Sequence, residues 1–167
     1  LDGGAGNDML GGGAGNDLLA GSGGSDLLLG GLGDDSYQVE SVGTVIMEHA
    51  NEGSDSVVSA VNYALSANVE NLHLLGSAIS ATGNELANDL YGNGNDNVLD
   101  GGAGIDRMDG WRGNDTYIVD NAADSVSEYL NEGIDTVESS VTYTLTANVE
   151  NLVLTGAAAI AGSGNSL

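Results

Sequence analysis

The chain of 167 residues has no cysteine, no proline, no phenylalanine and no lysine. Without cysteine it can build neither a disulfide framework nor a thiolate metal site, which argues against zinc and iron–sulfur chemistry. The only lysine or arginine residues are Arg107 and Arg112, against 25 acidic residues and a formal net charge of -23. Phosphate backbones and anionic lipids are held by Lys and Arg, so nucleic acid and acidic membrane surfaces are excluded as partners. No apolar run approaches the ~18 residues of a membrane span, so no membrane insertion is expected. No basic segment with an apolar stretch behind it opens the chain, so no secretory leader is visible. The chain starts and stops inside a repeat and reads as a piece of something longer. The hydrolase signatures H-E-x-x-H and G-x-S-x-G are also missing. So lopsided a charge with so few aromatics admits two readings. One is an acidic disordered chain. The other is a fold whose missing positive charge arrives as metal ions.

What is present is glycine, 28 residues of it, where ordinary usage is about 7%. The glycines are periodic. From Gly3 four units follow at a nine-residue step: GGAGNDMLG, GGAGNDLLA, GSGGSDLLL and GGLGDDSYQ, ending at Gln38. The sixth position is always Asp (Asp8, Asp17, Asp26, Asp35), and the eighth is large and apolar (Leu10, Leu19, Leu28, Tyr37). A second array from Gly83 reads GNELANDLY, GNGNDNVLD, GGAGIDRMD and GWRGNDTYI, ending at Ile118. Its sixth positions are Asn88, Asn97, Asp106 and Asp115, and its eighth are Leu90, Leu99, Met108 and Tyr117. The first two of these units carry Leu86 and Asn95 where the fourth Gly would stand, and are expected to be weaker sites.

Between the arrays lies a spacer that is itself repeated. Residues 37–76 align without gaps on 117–156, with twenty of forty positions identical. The organisation is therefore a first array (1–38), a spacer (39–82), a second array (83–118), a second spacer (119–163) and the opening of a third array (164–167). Tandem units of this kind stack into a quasi-one-dimensional solenoid. Val57–Leu65 and Val137–Leu145 are rich in Val, Ser, Thr and Tyr and read as strand.

The nonapeptide has a physical logic. Gly takes positive φ without steric cost and lets carbonyl oxygens approach an ion. The Asp that closes each loop adds a carboxylate, and the next three residues form a short strand with the eighth side chain turned inward. Ca²⁺ selects hard oxygen donors, typically six to eight. One loop offers too few, but two stacked loops offer enough. If two nonapeptides make one turn, every second loop shares an edge. Asp8 then meets Asp26, Asp17 meets Asp35, Asn88 meets Asp106 and Asn97 meets Asp115. One buried apolar side chain per nonapeptide is little against the cost of ordering the backbone. The arrays are therefore expected to be unfolded without Ca²⁺ and ordered with it.

The repeat GGxGxDxUx resembles that of the RTX (repeats-in-toxin, haemolysin-type) calcium-binding family. The resemblance covers eight units, in whole or part. It implies an all-β, right-handed parallel β-roll or β-helix solenoid with several Ca²⁺ ions in the turns. It also implies the ligand set. Gly3, Ala5 and Asp8 would share an ion with Ser22, Gly24 and Asp26, and Gly12, Ala14 and Asp17 with Gly31, Gly33 and Asp35. In the second array the matching positions are Gly83, Glu85, Asn88, Gly92, Gly94, Asn97, Gly102, Gly104, Asp106, Gly113 and Asp115. Leu86, Asn95 and Trp111 depart from the family pattern. Relatives leave bacterial cells by type I secretion, so an extracellular or cell-surface location is implied.

Other residues invite a chemical reading and do not sustain it. Asp55 and Asp135 sit in degenerate Gly-x-Asp-x-apolar loop ends, where a plain turn is the simpler expectation. His49 and His73 become Tyr129 and Val153 in the second copy, so they are read as surface or filler residues. Glu70 and Glu150 occur once per unit, which does not suit a catalytic carboxylate pair. The expected function is non-catalytic: a calcium-stabilised module of a secreted adhesin, surface layer or filament. An open solenoid end is an unpaired sheet edge compatible with end-to-end self-association. The alternatives are an accessory module of a secreted protease, lipase or polysaccharide-modifying enzyme, or a module that binds cell-surface polysaccharide.

Overall fold

A computed structural model describes residues 1–167. It contains strands and turns and no helix. The strands alternate between two faces. One carries β1 (Met9–Ala14), β3 (Leu27–Leu32), β5 (Val45–Ile46), β7 (Tyr63–Ala64), β9 (Ser80–Thr82), β11 (Val98–Asp100), β13 (Thr116–Val119), β15 (Thr136–Ser139) and β17 (Asn151–Leu154). The other carries β2 (Leu18–Ala20), β4 (Ser36–Val39), β6 (Ser56–Ser59), β8 (Asn71–Leu74), β10 (Asp89–Tyr91), β12 (Arg107–Asp109), β14 (Ser125–Ser127), β16 (Tyr143–Thr144) and β18 (Gly162–Ser163). Every strand pair is parallel, so the chain is a β-solenoid of two strands per coil.

Each coil of the arrays is two nonapeptides long: Leu10 pairs with Leu28, Leu19 with Tyr37, Leu90 with Met108 and Leu99 with Tyr117. In the spacer one coil lengthens and the next shortens. Tyr37 pairs with Val57 and Val57 with Leu72, after which Leu72 to Leu90 restores the two-nonapeptide step. The second spacer does the same through Tyr117, Val137 and Leu152. The eighth-position side chains of both arrays are buried, and they join spacer residues such as Val57, Leu72, Val126 and Val137 in a single core. Period-two alternation is visible in β4 and β6, where one side chain faces the core and the next the solvent side.

Val57–Leu65 is not one strand. The chain leaves β6 after Ser59, whose hydroxyl both accepts from the Val61 amide and donates to the Val61 carbonyl, and enters β7 only at Tyr63. Ser139 makes the same corner with Val141 before β16. A local hydroxyl bond here offers the backbone an alternative to the ladder.

Coils stack closely at the turns. Gly24 has φ +133°, and a Cβ there would run into the Gly6 carbonyl one coil away; Gly104 meets the Leu86 carbonyl in the same way. The fourth-position glycine is therefore demanded both by its own dihedral and by the neighbouring turn.

The repeat has a topological consequence. From β4 to the equivalent β13 the chain advances by one full copy of array plus spacer, and by nine strands, an odd number. Equivalent elements of successive copies therefore lie on opposite faces: β4 in the ladder of even strands, β13 in that of odd strands.

Candidate metal centre

Each turn ends on the residue that precedes a strand, and these residues form a column along each edge. Before the even strands the column runs Asp17, Asp35, Asp55, Glu70, Asn88, Asp106 and Asp124. Along most of it each residue donates its backbone N–H to the carboxylate of the next coil. Asp17 gives to Asp35 Oδ1 at 2.7 Å, Asp35 to Asp55 Oδ1 at 2.8 Å and Asp55 to Glu70 Oε2 at 2.8 Å. The column resumes with Asn88 to Asp106 Oδ1 at 2.8 Å and Asp106 to Asp124 Oδ1 at 3.0 Å. On the opposite edge Asp8 gives to Asp26 at 3.1 Å, Asn97 to Asp115 at 2.7 Å, Asp115 to Asp135 at 2.8 Å and Asp135 to Glu150 at 2.7 Å. All four pairs expected from the two-nonapeptide spacing are thus brought together. Gly13 also pairs with Gly31, and Ala5 with Gly23.

These contacts use one oxygen of each carboxylate. The other oxygens of Asp35, Asp106 and Asp115, and Oδ2 of Asp8, are buried and have no hydrogen-bond partner. Buried polar atoms are ordinarily satisfied, so an orphaned oxygen repeated along both edges is a place for a cation. The donors are carboxylates and backbone carbonyls, the hard oxygens Ca²⁺ takes, with no nitrogen or sulfur ligand among them. The loops fit the ion.

The electrostatics agree. Burial, followed by the neighbouring carboxylates Asp124 and Asp135 respectively, pushes Asp106 and Asp115 up to about 6. Burial raises Asp35 in the same way. Desolvation and mutual repulsion both disfavour the charged form when no counter-ion is at hand.

The Asn-bearing turns are arranged differently. Asn88 Oδ1 accepts from the Asn84 amide at 2.7 Å, and Asn88 Nδ2 donates to the Val69 carbonyl at 3.1 Å. Asn84 Nδ2 bonds the Ser66 and Val69 carbonyls, both at 2.7 Å. Asn93 and Asn95 bond the Ala78 and Gly76 carbonyls. Asn165 repeats the Asn84 pattern on Thr146 and Val149. Amide groups here tie the Asn turns to carbonyls of the preceding coil, where the Asp turns leave carboxylate oxygens unpartnered.

The remaining candidates fall into place. Glu70 and Glu150 substitute for the loop-closing Asp where the coil is short, and Asn71 Nδ2 bonds the Asp55 carbonyl at 2.9 Å. They serve the turns, in line with a structural role. His49 is exposed, and His73 stacks on Tyr91 with ring centroids 4.3 Å apart. Asp55 and Asp135 are buried members of the columns. Sequence reasoning passed over Glu48, Glu128 and Asp124. The signal for the two Glu was their identity between the two copies, and their position two nonapeptide lengths after Gly30 and Gly110.

A family model described as the RTX calcium-binding nonapeptide repeat matches residues 1–37 and 82–125, in four copies. The two arrays are RTX calcium-binding repeats. The matched family is one of calcium-binding repeats, so the two arrays form a calcium-binding module. Among curated proteins the chain is similar to the endo-1,3-1,4-beta-glycanase ExsH of Rhizobium meliloti (strain 1021), 36% identical over 78 residues. That match covers 46% of this chain and 16% of the relative, so the chain spans a small part of the glycanase's length. No solved structure matches the chain as a relative.

Proposed function

We propose that this chain is a non-catalytic, calcium-dependent structural segment of a secreted bacterial protein of the adhesin, surface-layer or filament kind. The observation that carries the reading is the pair of acidic columns, with buried, unpartnered carboxylate oxygens and no lysine to neutralise them. In the low Ca²⁺ of the cytosol these columns repel and the chain stays threadable. In external millimolar Ca²⁺, the range extracellular sites need, binding to the folded state alone drives folding. The ligands are those of the nonapeptide loops: Gly3, Ala5, Asp8, Ser22, Gly24 and Asp26 on one edge; Gly12, Ala14, Asp17, Gly31, Gly33 and Asp35 on the other. In the second array the ligands are Gly102, Gly104, Asp106, Gly113 and Asp115, with Gly83, Glu85, Asn88, Gly92, Gly94 and Asn97 of the facing loops as the weaker partners in the same sites. The segments 1–38, 39–82, 83–118, 119–163 and 164–167 are stretches of one solenoid, since the ladder runs on from β4 to β6 and from β8 to β10.

The test is a Ca²⁺ titration followed by far-UV circular dichroism, with Mg²⁺ as control. A coil-to-β transition at or below millimolar Ca²⁺, absent with Mg²⁺, supports the reading. A β spectrum that persists in excess chelator would remove the physical basis of folding outside the cell.

A second reading is favoured by a specific surface. His73, Tyr91, Trp111 and Tyr129 line adjoining grooves around β8, β10 and β12, with Arg107 and Glu132 beside them. Trp111 and Tyr129 are well exposed. Exposed aromatic faces with flanking polar groups suit sugar rings, and the relative is named as a glycanase. In this reading the segment is an accessory or polysaccharide-binding module of a secreted enzyme. Retardation on a mixed-linkage β-glucan gel, lost in Trp111→Ala, would favour it; equal mobility of both proteins with and without glucan would end it.

A further inference from the structure

The nonapeptide pattern leaves Glu48 and Glu128 without a role. Glu48 stacks one coil beyond Gly30, whose N–H donates to Glu48 Oε1 at 3.1 Å. The missing side chain of Gly30 leaves room inside the turn, for a Cβ there would collide with Asp35 Oδ2, the Tyr37 hydroxyl and Glu48 Oε1. The fully buried Tyr37 donates its hydroxyl to that same Glu48 oxygen. Asp55 comes from the end of the same long turn. Carboxylate oxygens of Asp35, Glu48 and Asp55 all lie within 4.8 Å of one another. Glu48 is 5% exposed and Asp35 2%, and Glu48 Oε2 and Asp35 Oδ2 have no hydrogen-bond partner.

The second copy rebuilds this on the other edge. Asp115, Glu128 and Asp135 lie within the same 4.8 Å, and Tyr117 donates to Glu128 Oε1. A Cβ on Gly110 would meet Asp115 and Tyr117. Glu128 Oε2 and Asp115 Oδ2 are again buried and unpartnered. No lysine exists to answer either cluster, and each gathers three buried carboxylates.

We propose that Asp35, Glu48 and Asp55, and separately Asp115, Glu128 and Asp135, each hold one Ca²⁺ inside the turn where a nonapeptide array passes into its spacer. The inference rests on the calcium reading above but adds a site of a different kind, since its Glu lies outside the repeat motif. Three carboxylates and hard oxygen donors suit a divalent ion, whereas a single proton would leave two buried charges facing each other. Ligand charge count tunes Ca²⁺ affinity, so a three-carboxylate turn fills before the two-Asp loops. It ties the last array coil to the first spacer coil.

The experiment is Ca²⁺ titration calorimetry on the whole chain and on the double variant Glu48→Gln/Glu128→Gln. The expected result is a loss of two ions and of the tightest phase, with the remaining ions retained. An unchanged ion count and unchanged tightest phase overturn the junction sites. If the unmodified chain takes up no Ca²⁺, the calcium reading itself falls; if it loads and the variant loads equally, only the junction sites fall. Should the Gln variant not fold, Tyr37→Phe/Tyr117→Phe is titrated with Tb³⁺, whose emission is sensitised by nearby phenols. Emission from the first two equivalents should drop by more than half; undiminished emission overturns the proposal.

Discussion

A single oxygen or a single missing Cβ decides much of this molecule. Asp35 accepts the Asp17 amide through one oxygen while its other is free and buried. Asp35→Asn should therefore keep the stacking bond and lose the charge. Its expected effect is a higher Ca²⁺ midpoint for folding, read by circular dichroism, and an unchanged midpoint would sink the pairing of Asp17 with Asp35. Trp111 is held at φ +69°, where the other loops mostly place Gly. The left-handed region costs an L side chain roughly 1–2 kcal/mol. Trp111→Gly should accordingly stabilise the Ca²⁺-loaded fold by up to about 1 kcal/mol in thermal melts, after the added freedom of Gly in the unfolded chain.

Among elements, the two kinds of turn should behave differently. The Asp turns hold buried, unpartnered carboxylate oxygens, while the Asn turns are closed by amides. Asn84→Ala leaves the Ser66 carbonyl without its partner and takes from the Val69 carbonyl the shorter of its two amide bonds, a loss of about 1–3 kcal/mol. Denaturant melts should show that loss at saturating Ca²⁺, with little change in the ion count. The strands themselves were legible in advance because the nonapeptide places one inward side chain per strand, and Leu19, Leu28, Leu90 and Leu99 are all buried as the period demands. The spacer strands were less legible. Val57–Leu65 has uniform strand propensity, and its break at Ser59 depends on one hydroxyl turning back to the chain.

At the scale of the whole molecule, charge sets the pH response. In chelator, burial and neighbouring carboxylates raise Glu48 to about 7, Glu128 to about 8 and Asp55, Asp106 and Asp115 to about 6, from ordinary values of 4.5 for Glu and 3.8 for Asp. The folded state thus binds more protons than the unfolded one between these limits, and stability falls as pH rises through them. The metal-free chain should be most ordered near pH 4 and lose order between about pH 5 and 8. Ca²⁺ should flatten or reverse that trend, since it binds the deprotonated carboxylates. Far-UV spectra across pH, with and without Ca²⁺, check this; a metal-free fold that strengthens toward pH 8 would contradict it. The stacking of the turns gives a second check. Paired cysteines replacing Asp34 and Ser54, whose turns are stacked by a 3.0 Å bond, should crosslink.

The sequence by itself determined the local rules: the nine-residue period, the inward eighth position, the loop-closing Asp and the pairing of every second loop. Each follows from spacing along one chain, so each could be read from letters alone. It also marked the duplicated spacer and the Asn-bearing loops. Only the tertiary structure decided what those rules bring together across coils. Glu48 meets Asp35 and Asp55 because the spacer turn is longer than a nonapeptide, and Gly30 one coil away leaves the space. Glu70 inherits an Asp position because the following coil is shorter. Successive copies face opposite ways because nine strands cannot be shared equally between two faces. A linear pattern records intervals between residues, whereas these features depend on how unequal coils come back into register.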